Sequence, residues 1–155
     1  LGERMPGFED LRKMSYSLQV IQEGMRLYPP AYAVGREPVE DDEILGHKIP
    51  KGSVVFLSIA ALHRNPEYWE KPHNFYPEHF SPAAEKKRPR LAYMPFGAGP
   101  RMCIGNHFAL MEMQLLLAVL VRQFDFELVT SHAVEPEPLI TLKPKYGIKL
   151  RVKNR

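Results

Sequence analysis

The segment from Phe108 to Val121, FALMEMQLLLAVLV, constrains this chain more than any other. Its apolar residues do not fall on one stripe but surround the helix axis. A helix that is apolar on every side is buried on every side. The run holds Glu112 and Gln114 and is too short to span a bilayer. The other long helical pattern covers residues 8–27, where Leu11, Met14, Leu18, Ile21 and Met25 recur at 3-4-3-4 spacing. Pro29 and Pro30 end it, because the residue before a proline is pushed out of the α region. One helix covers only part of the other; a sheet and a coil are left to cover the rest, and the simpler reading is that covering elements are missing. The expectation is that the second helix, residues 105–124, packs against elements this chain lacks, as part of a larger protein or with a partner.

Between the helices the pattern changes. Residues 31–60 read as strands and turns. Ile44 to Ile49, followed by Pro50-Lys51-Gly52, has the form of a hairpin leading to a turn. Val54 to Ile59 is a continuous apolar run, expected as a buried strand. Residues 64–95 carry Pro66, Pro72, Pro77, Pro82, Pro89 and Pro95, with Tyr68, Trp69, Phe75, Tyr76 and Phe80 interleaved. Proline at that density excludes a helix or a long strand. A packed coil pinned by its rings is expected instead. At the end, residues 140–142 and 148–152 alternate in polarity and are expected to pair as strands.

The bulk numbers exclude several function classes. A net charge of +3 on 155 residues is too weak to imply a nucleic-acid partner. A single cysteine rules out an intrachain disulfide framework and any multi-cysteine zinc site. The opening residues LGERMPGFEDLRKM contain no apolar signal-peptide core.

That cysteine lies in the loop FGAGPRMCIG, residues 96–105, just before the apolar helix. Buried cysteine often acts as a small hydrophobe. Here Gly97, Gly99 and Gly105 leave backbone uncovered, so another surface can approach closely. Free N–H groups and the dipole at a helix start favour a thiolate at Cys103. A thiolate is a nucleophile or a metal ligand. As a nucleophile it needs a base, and His107 stands four residues on. A phosphate loop fails, because G-x-G-x-x-G is incomplete and no Walker lysine is present. A single thiolate ligand suits a metal that a cofactor already holds, of which haem iron is the standard case.

Phe96, Gly99, Arg101, Cys103 and Gly105 match every fixed position of F-x-x-G-x-R-x-C-x-G. That pattern resembles the haem-binding signature of the cytochrome P450 family. Two further motifs stand in the family's order. Glu23 and Arg26 resemble the E-x-x-R of its K helix, and Phe75 to Phe80, FYPEHF, resembles its F-x-P-E-R-F meander. Leu62 to Pro66, with Trp69, resembles the segment between them. The resemblance spans essentially the whole chain. It implies a mostly α fold with small β-sheets, an α+β arrangement of K helix, β hairpins, meander, cysteine loop and L helix. Residues 1–155 are expected as the C-terminal fragment of one domain, without the distal helix and the N-terminal part.

The resemblance also implies roles. Cys103 would ligate the iron of haem b, and Arg101 and Arg36 would pair with its propionates. Pro95, Phe96, Gly97, Ile104, Gly105 and Ala109 would line the proximal side, with Phe96 beside the sulfur. Glu23, Arg26 and His79 would form a buried group, although the family commonly has arginine where His79 stands. Ala31, Tyr32, Ala33, Val34, Leu139 and Ile140 fall where the family places substrate-contacting turns. The implied activity is monooxygenation of a small, apolar organic substrate with O₂, using electrons from NAD(P)H through a ferredoxin or flavoprotein reductase. The basic run from Glu85 to Arg90 is a candidate dock for that partner. A non-oxygenating haem-thiolate protein (a peroxygenase, an isomerase or an inactive haem binder) is the alternative, and a cysteine hydrolase using Cys103 and His107 is a remote one. For a bacterial source the resemblance implies a soluble cytoplasmic protein, and it leaves an N-terminal membrane anchor open.

Overall fold

A computed structural model describes residues 4–155. The first helical pattern is divided in two. Phe8–Lys13 forms a 3₁₀ helix, and helix α1 follows over Ser15–Leu27. Asp10 explains the tight first part. Its carboxylate accepts the Gly7 N–H at 3.0 Å and pairs with both terminal nitrogens of Arg4 at 2.7 Å. With the Asp10 N–H donating back to the Gly7 carbonyl at 3.0 Å these bonds cap the first turn, and Met14 breaks the helix before α1 at φ −103°, ψ 42°.

After the two prolines, strand β1 (Ala33–Arg36) forms. A hairpin of β2 (Asp42–Ile44) and β3 (His47–Ile49) follows, turning through Leu45 and Gly46, both at positive φ. That conformation is what a two-residue hairpin turn requires. Strand β4 (Val55–Ser58) returns antiparallel to β1, with Ala33 opposite Ser58 and Arg36 opposite Val55. The burial expected for this strand is not found. Val54, Phe56 and Leu57 are exposed, and among the described residues β1 and β4 pair only with each other. Ile59 belongs instead to the short helix α2 (Ile59–Leu62), capped where the Ser58 hydroxyl accepts the Ala61 N–H at 3.2 Å.

The proline-rich coil contains a helix that the proline count argues against. Helix α3 (Pro82–Lys87) starts with its proline at the first helical position, where a missing N–H costs nothing, and Ser81 caps it. Helix α4 (Asn106–Gln123) then runs without a linker into strand β5 (Phe124–Leu128). Strands β6 (Pro136–Pro138) and β7 (Leu142–Pro144) form a hairpin, and β8 (Leu150–Asn154) pairs with β5. The expected pairing of 140–142 with 148–152 is therefore wrong. Each segment has another partner. β5 carries the apolar pattern of α4 forward without a break, which hid it. On α4 only Gln114 and Ala118 are buried, while Phe108, Leu116, Leu120 and Val121 stand open. Buried Gln114 donates to the Met14 carbonyl at 3.2 Å, which also accepts the Leu18 N–H at 3.1 Å. Among the described residues no helix is long and apolar enough to cross a membrane.

The core is built on charge as much as on apolar packing. Glu23 and Arg26, three apart on α1, are both fully buried. Arg26 meets the carboxylate with two bonds of 2.8 Å. Its remaining N–H groups reach the carbonyls of His63 (2.8 Å), Pro72 (2.7 Å) and Asn74 (3.0 Å). All five guanidinium donors are thus used. Glu23 also accepts the Tyr76 N–H at 2.8 Å and faces His79 Nδ1 at 3.2 Å. Trp69 lies under the Arg26 and Arg88 guanidiniums, its ring against His63, His79, Phe80 and Tyr93. The proline-rich coil is pinned to α1 through this group.

Removing Arg26 leaves Glu23 buried without a counter-charge. Arg26→Ala should destabilise the chain by about 3–5 kcal/mol in urea denaturation. Burial also holds the His63 imidazole below its usual range, at about 4, with the Arg26 guanidinium adding to the effect. The unfolded chain then binds the extra proton between pH ~6.5 and ~4. Stability is full above ~6.5 and falls as pH drops through that window, by roughly 3 kcal/mol in all. His63→Gln should flatten the slope; an equal slope in the variant would assign it to other groups.

Candidate functional site

His63 also starts the cysteine loop. Its Nε2 accepts the Met94 N–H at 2.9 Å, so the ring proton is on Nδ1. The Met94 carbonyl then accepts the Gly97 N–H at 3.0 Å. Gly97 and Gly99 sit at φ +75° and +72°. A Cβ on either would meet nothing within 4 Å, so backbone conformation rather than crowding calls for glycine there. A 3₁₀ turn over Gly99–Arg101 follows, and the Cys103 N–H closes the loop on the Phe96 carbonyl at 3.0 Å. Cys103 stands exposed three residues before the first helical residue of α4.

This thiol opens on a mostly apolar cleft of ≈ 710 Å³. From the loop, Pro95, Phe96, Gly97, Arg101 and Cys103 line it. Ala109 and Met113 of α4, Ala31 and the β1 residues Val34 and Arg36 complete most of the wall. The cleft therefore gathers nine residues singled out in the sequence, including both arginines. Others fall outside its lining. Ile104 and Ile140 are fully exposed, Leu139 is exposed, and Tyr32, Ala33 and Gly105 lie beside the cleft rather than on it. Gly105 is close to the thiol, since a Cβ there would come 3.9 Å from Sγ. Glu23, Arg26 and His79 form the buried group described above, and none of them lines the cleft.

Sequence reasoning missed Met25, Pro30, Gly35, Glu37, Met113 and Thr141. The two methionines look like any apolar helix residue. Thr141 was hidden because alternation from Ile140 put it on the opposite face. His107 lines a different groove, between α1 and α4, with Phe8, Leu11 and Leu18. Cys103 precedes the helix, so the i,i+4 spacing does not bring the two side chains into one site.

The basic run is also divided. Lys86, Lys87 and Arg90 are exposed. Arg88 instead stacks on Trp69 at 4.1 Å and donates to the His79 carbonyl at 2.7 Å. It belongs to the core. Among the described residues no group of three or more His, Cys, Asp or Glu side chains could hold a metal ion. A metal at Cys103 must bring other ligands with it.

The cytochrome P450 family model matches residues 1–152. Cytochrome P450 132 of Mycobacterium tuberculosis is 41% identical over 148 residues, which cover 96% of this chain and 32% of that protein. Thromboxane-A synthase of Macaca fascicularis is 37% identical over 154 residues, 97% of this chain and 29% of that one. Among solved structures, the retinoic acid-bound cyanobacterial CYP120A1 superposes with a TM-score of 0.92 at 34% identity, over 100% of this chain and 36% of its own. The chain thus spans about a third of the length of the relatives it matches. With the family model matched along nearly all of its residues and the fold shared with solved relatives, the chain belongs to the cytochrome P450 family.

Proposed function

We propose that the chain is the haem-holding portion of a P450 monooxygenase. In that reaction one atom of O₂ enters an apolar organic substrate and the other leaves as water, with two electrons from NAD(P)H arriving through a redox partner. One observation carries this reading. The exposed Cys103 thiol shares a mostly apolar cleft with two guanidiniums, those of Arg36 and Arg101.

The donor set fits haem b. A thiolate suits its iron, two arginines suit its two carboxylates, and apolar walls suit a flat ring. In this reading Cys103 Sγ ligates the iron, and Arg101 and Arg36 orient the ring through its propionates. Pro95, Phe96 and Gly97 pack on the proximal face. The small side chain of Ala109 would leave room for the group beside α4, and Ile104 and Gly105 carry the chain from the thiol into the helix. Bound through a thiolate, haem supplies the oxygen chemistry, with sulfur electron density favouring O–O cleavage. Ala31 and Val34 would offer an apolar wall to substrate. The retinoic acid recorded with the cyanobacterial relative, itself largely apolar, supports that class. Lys86 and Lys87, at the end of α3, would attract an acidic ferredoxin or flavoprotein.

Carbon monoxide added to the reduced, haem-loaded protein, taken at the length of its relatives, should give the red-shifted Soret band of thiolate-ligated haem. Cys103→Ala should abolish it. A band that persists in the variant, or is absent from folded, haem-loaded wild type, would defeat the reading. For docking, Lys86→Glu with Lys87→Glu should slow reduction by an acidic partner about tenfold at low salt, and the gap should close as ionic strength rises. Equal rates for the two proteins at low salt would remove these lysines from the dock.

A further inference from the structure

Tyr32 stands beside the Cys103 cleft without lining it. Its hydroxyl donates to the Leu139 carbonyl at 2.7 Å, across 107 positions of sequence. Leu139 begins the turn of the β6–β7 hairpin, and Thr141, two residues on, lines the cleft. That hairpin holds itself through alternate positions. Glu137 stands opposite Lys143 and pairs with its ammonium at 3.2 Å, the Lys145 N–H reaches the Glu135 carbonyl at 2.8 Å, and the Leu139 N–H the Thr141 carbonyl at 3.3 Å. Prolines 136, 138 and 144 and Leu142 fill the positions between, where an N–H points away from the partner strand. The Leu142 N–H is there turned outward to the Pro30 carbonyl at 2.9 Å. A ribbon of two strands is marginal by itself. Its tip is held against the rest of the chain by one bond before the Ile140–Thr141 pair and one after it.

We propose that Tyr32 is a positioning residue that sets the size of ligand the cleft accepts. Its hydroxyl latches the hairpin tip and so fixes Thr141 in the cleft wall near Ala31. The backbone bond to Pro30 belongs to any sequence at position 142, whereas the latch belongs to tyrosine. This role rests on the haem reading given above.

Tyr32→Phe keeps the ring and removes only the hydroxyl. Imidazole and 1-phenylimidazole, titrated into the haem-loaded protein and read by the Soret shift, give a small and a bulky probe of one chemistry. The phenylimidazole-to-imidazole affinity ratio should rise about fivefold in the variant, the worth of one neutral hydrogen bond. Imidazole affinity itself should not move. Amide exchange over residues 139–142, measured by mass spectrometry, should quicken by a similar factor, haem-loaded or not. An unchanged ratio overturns the proposal, and so does unchanged exchange. If wild type gives no Soret response to imidazole, the haem reading fails and the size-setting role falls with it. The exchange data would still report whether the tether exists.

Discussion

The fold depends on a buried ion pair. Two charges taken out of water cost several kcal/mol each, and their attraction does little more than offset that. The Glu23–Arg26 pair is tolerable because all five guanidinium donors are used and both carboxylate oxygens accept bonds. That condition is demanding. The coil must pass with three carbonyls and one N–H at set positions beside α1, or the pair is left wanting. The net energy gained is modest. What the pair supplies is a single permitted path for a proline-rich segment with little regular structure of its own.

From that path the cysteine loop takes its position. His63 gives its carbonyl to Arg26 and its Nε2 to Met94, so one residue joins the charge group to the start of the loop. Met94 passes the constraint to Gly97, and Phe96 receives Cys103. The thiol is thus located by a chain of hydrogen bonds that begins on α1. Several large apolar side chains on β4 and α4 face outward, and the chain spans only about a third of the length of its relatives.

Much of this was legible in the sequence, and the reason differs by element. The cysteine loop was legible because its chemistry fixes residue types at fixed spacing. Glu23 and Arg26 were legible because i,i+3 on a helix puts them on one face. The hairpin at Leu45–Gly46 was legible from its turn and flanks. Other features depend on contacts that spacing does not encode. The break at Met14 leaves no mark in the apolar spacing, because Met14 itself lies on the stripe. The junction of α4 and β5 is invisible where one apolar pattern serves both periods. The exposure of Val54 and Phe56 goes with a strand that, among the described residues, pairs only with β1, and Thr141 enters the cleft through bonds made by its neighbours. Arg88 looked like surface charge because only the fold brings Trp69 beneath it.

Three of the five bonds from Arg26 end on backbone carbonyls, those of His63, Pro72 and Asn74. Every residue type carries that acceptor. Side chains at 72 and 74 can therefore drift during evolution without removing what the guanidinium recognises, provided the chain still passes the same way. The reverse does not hold. An insertion or deletion of one residue between 63 and 74 shifts every carbonyl at once. In this segment the contacts to Arg26 tolerate a change of side chain more readily than a change of length.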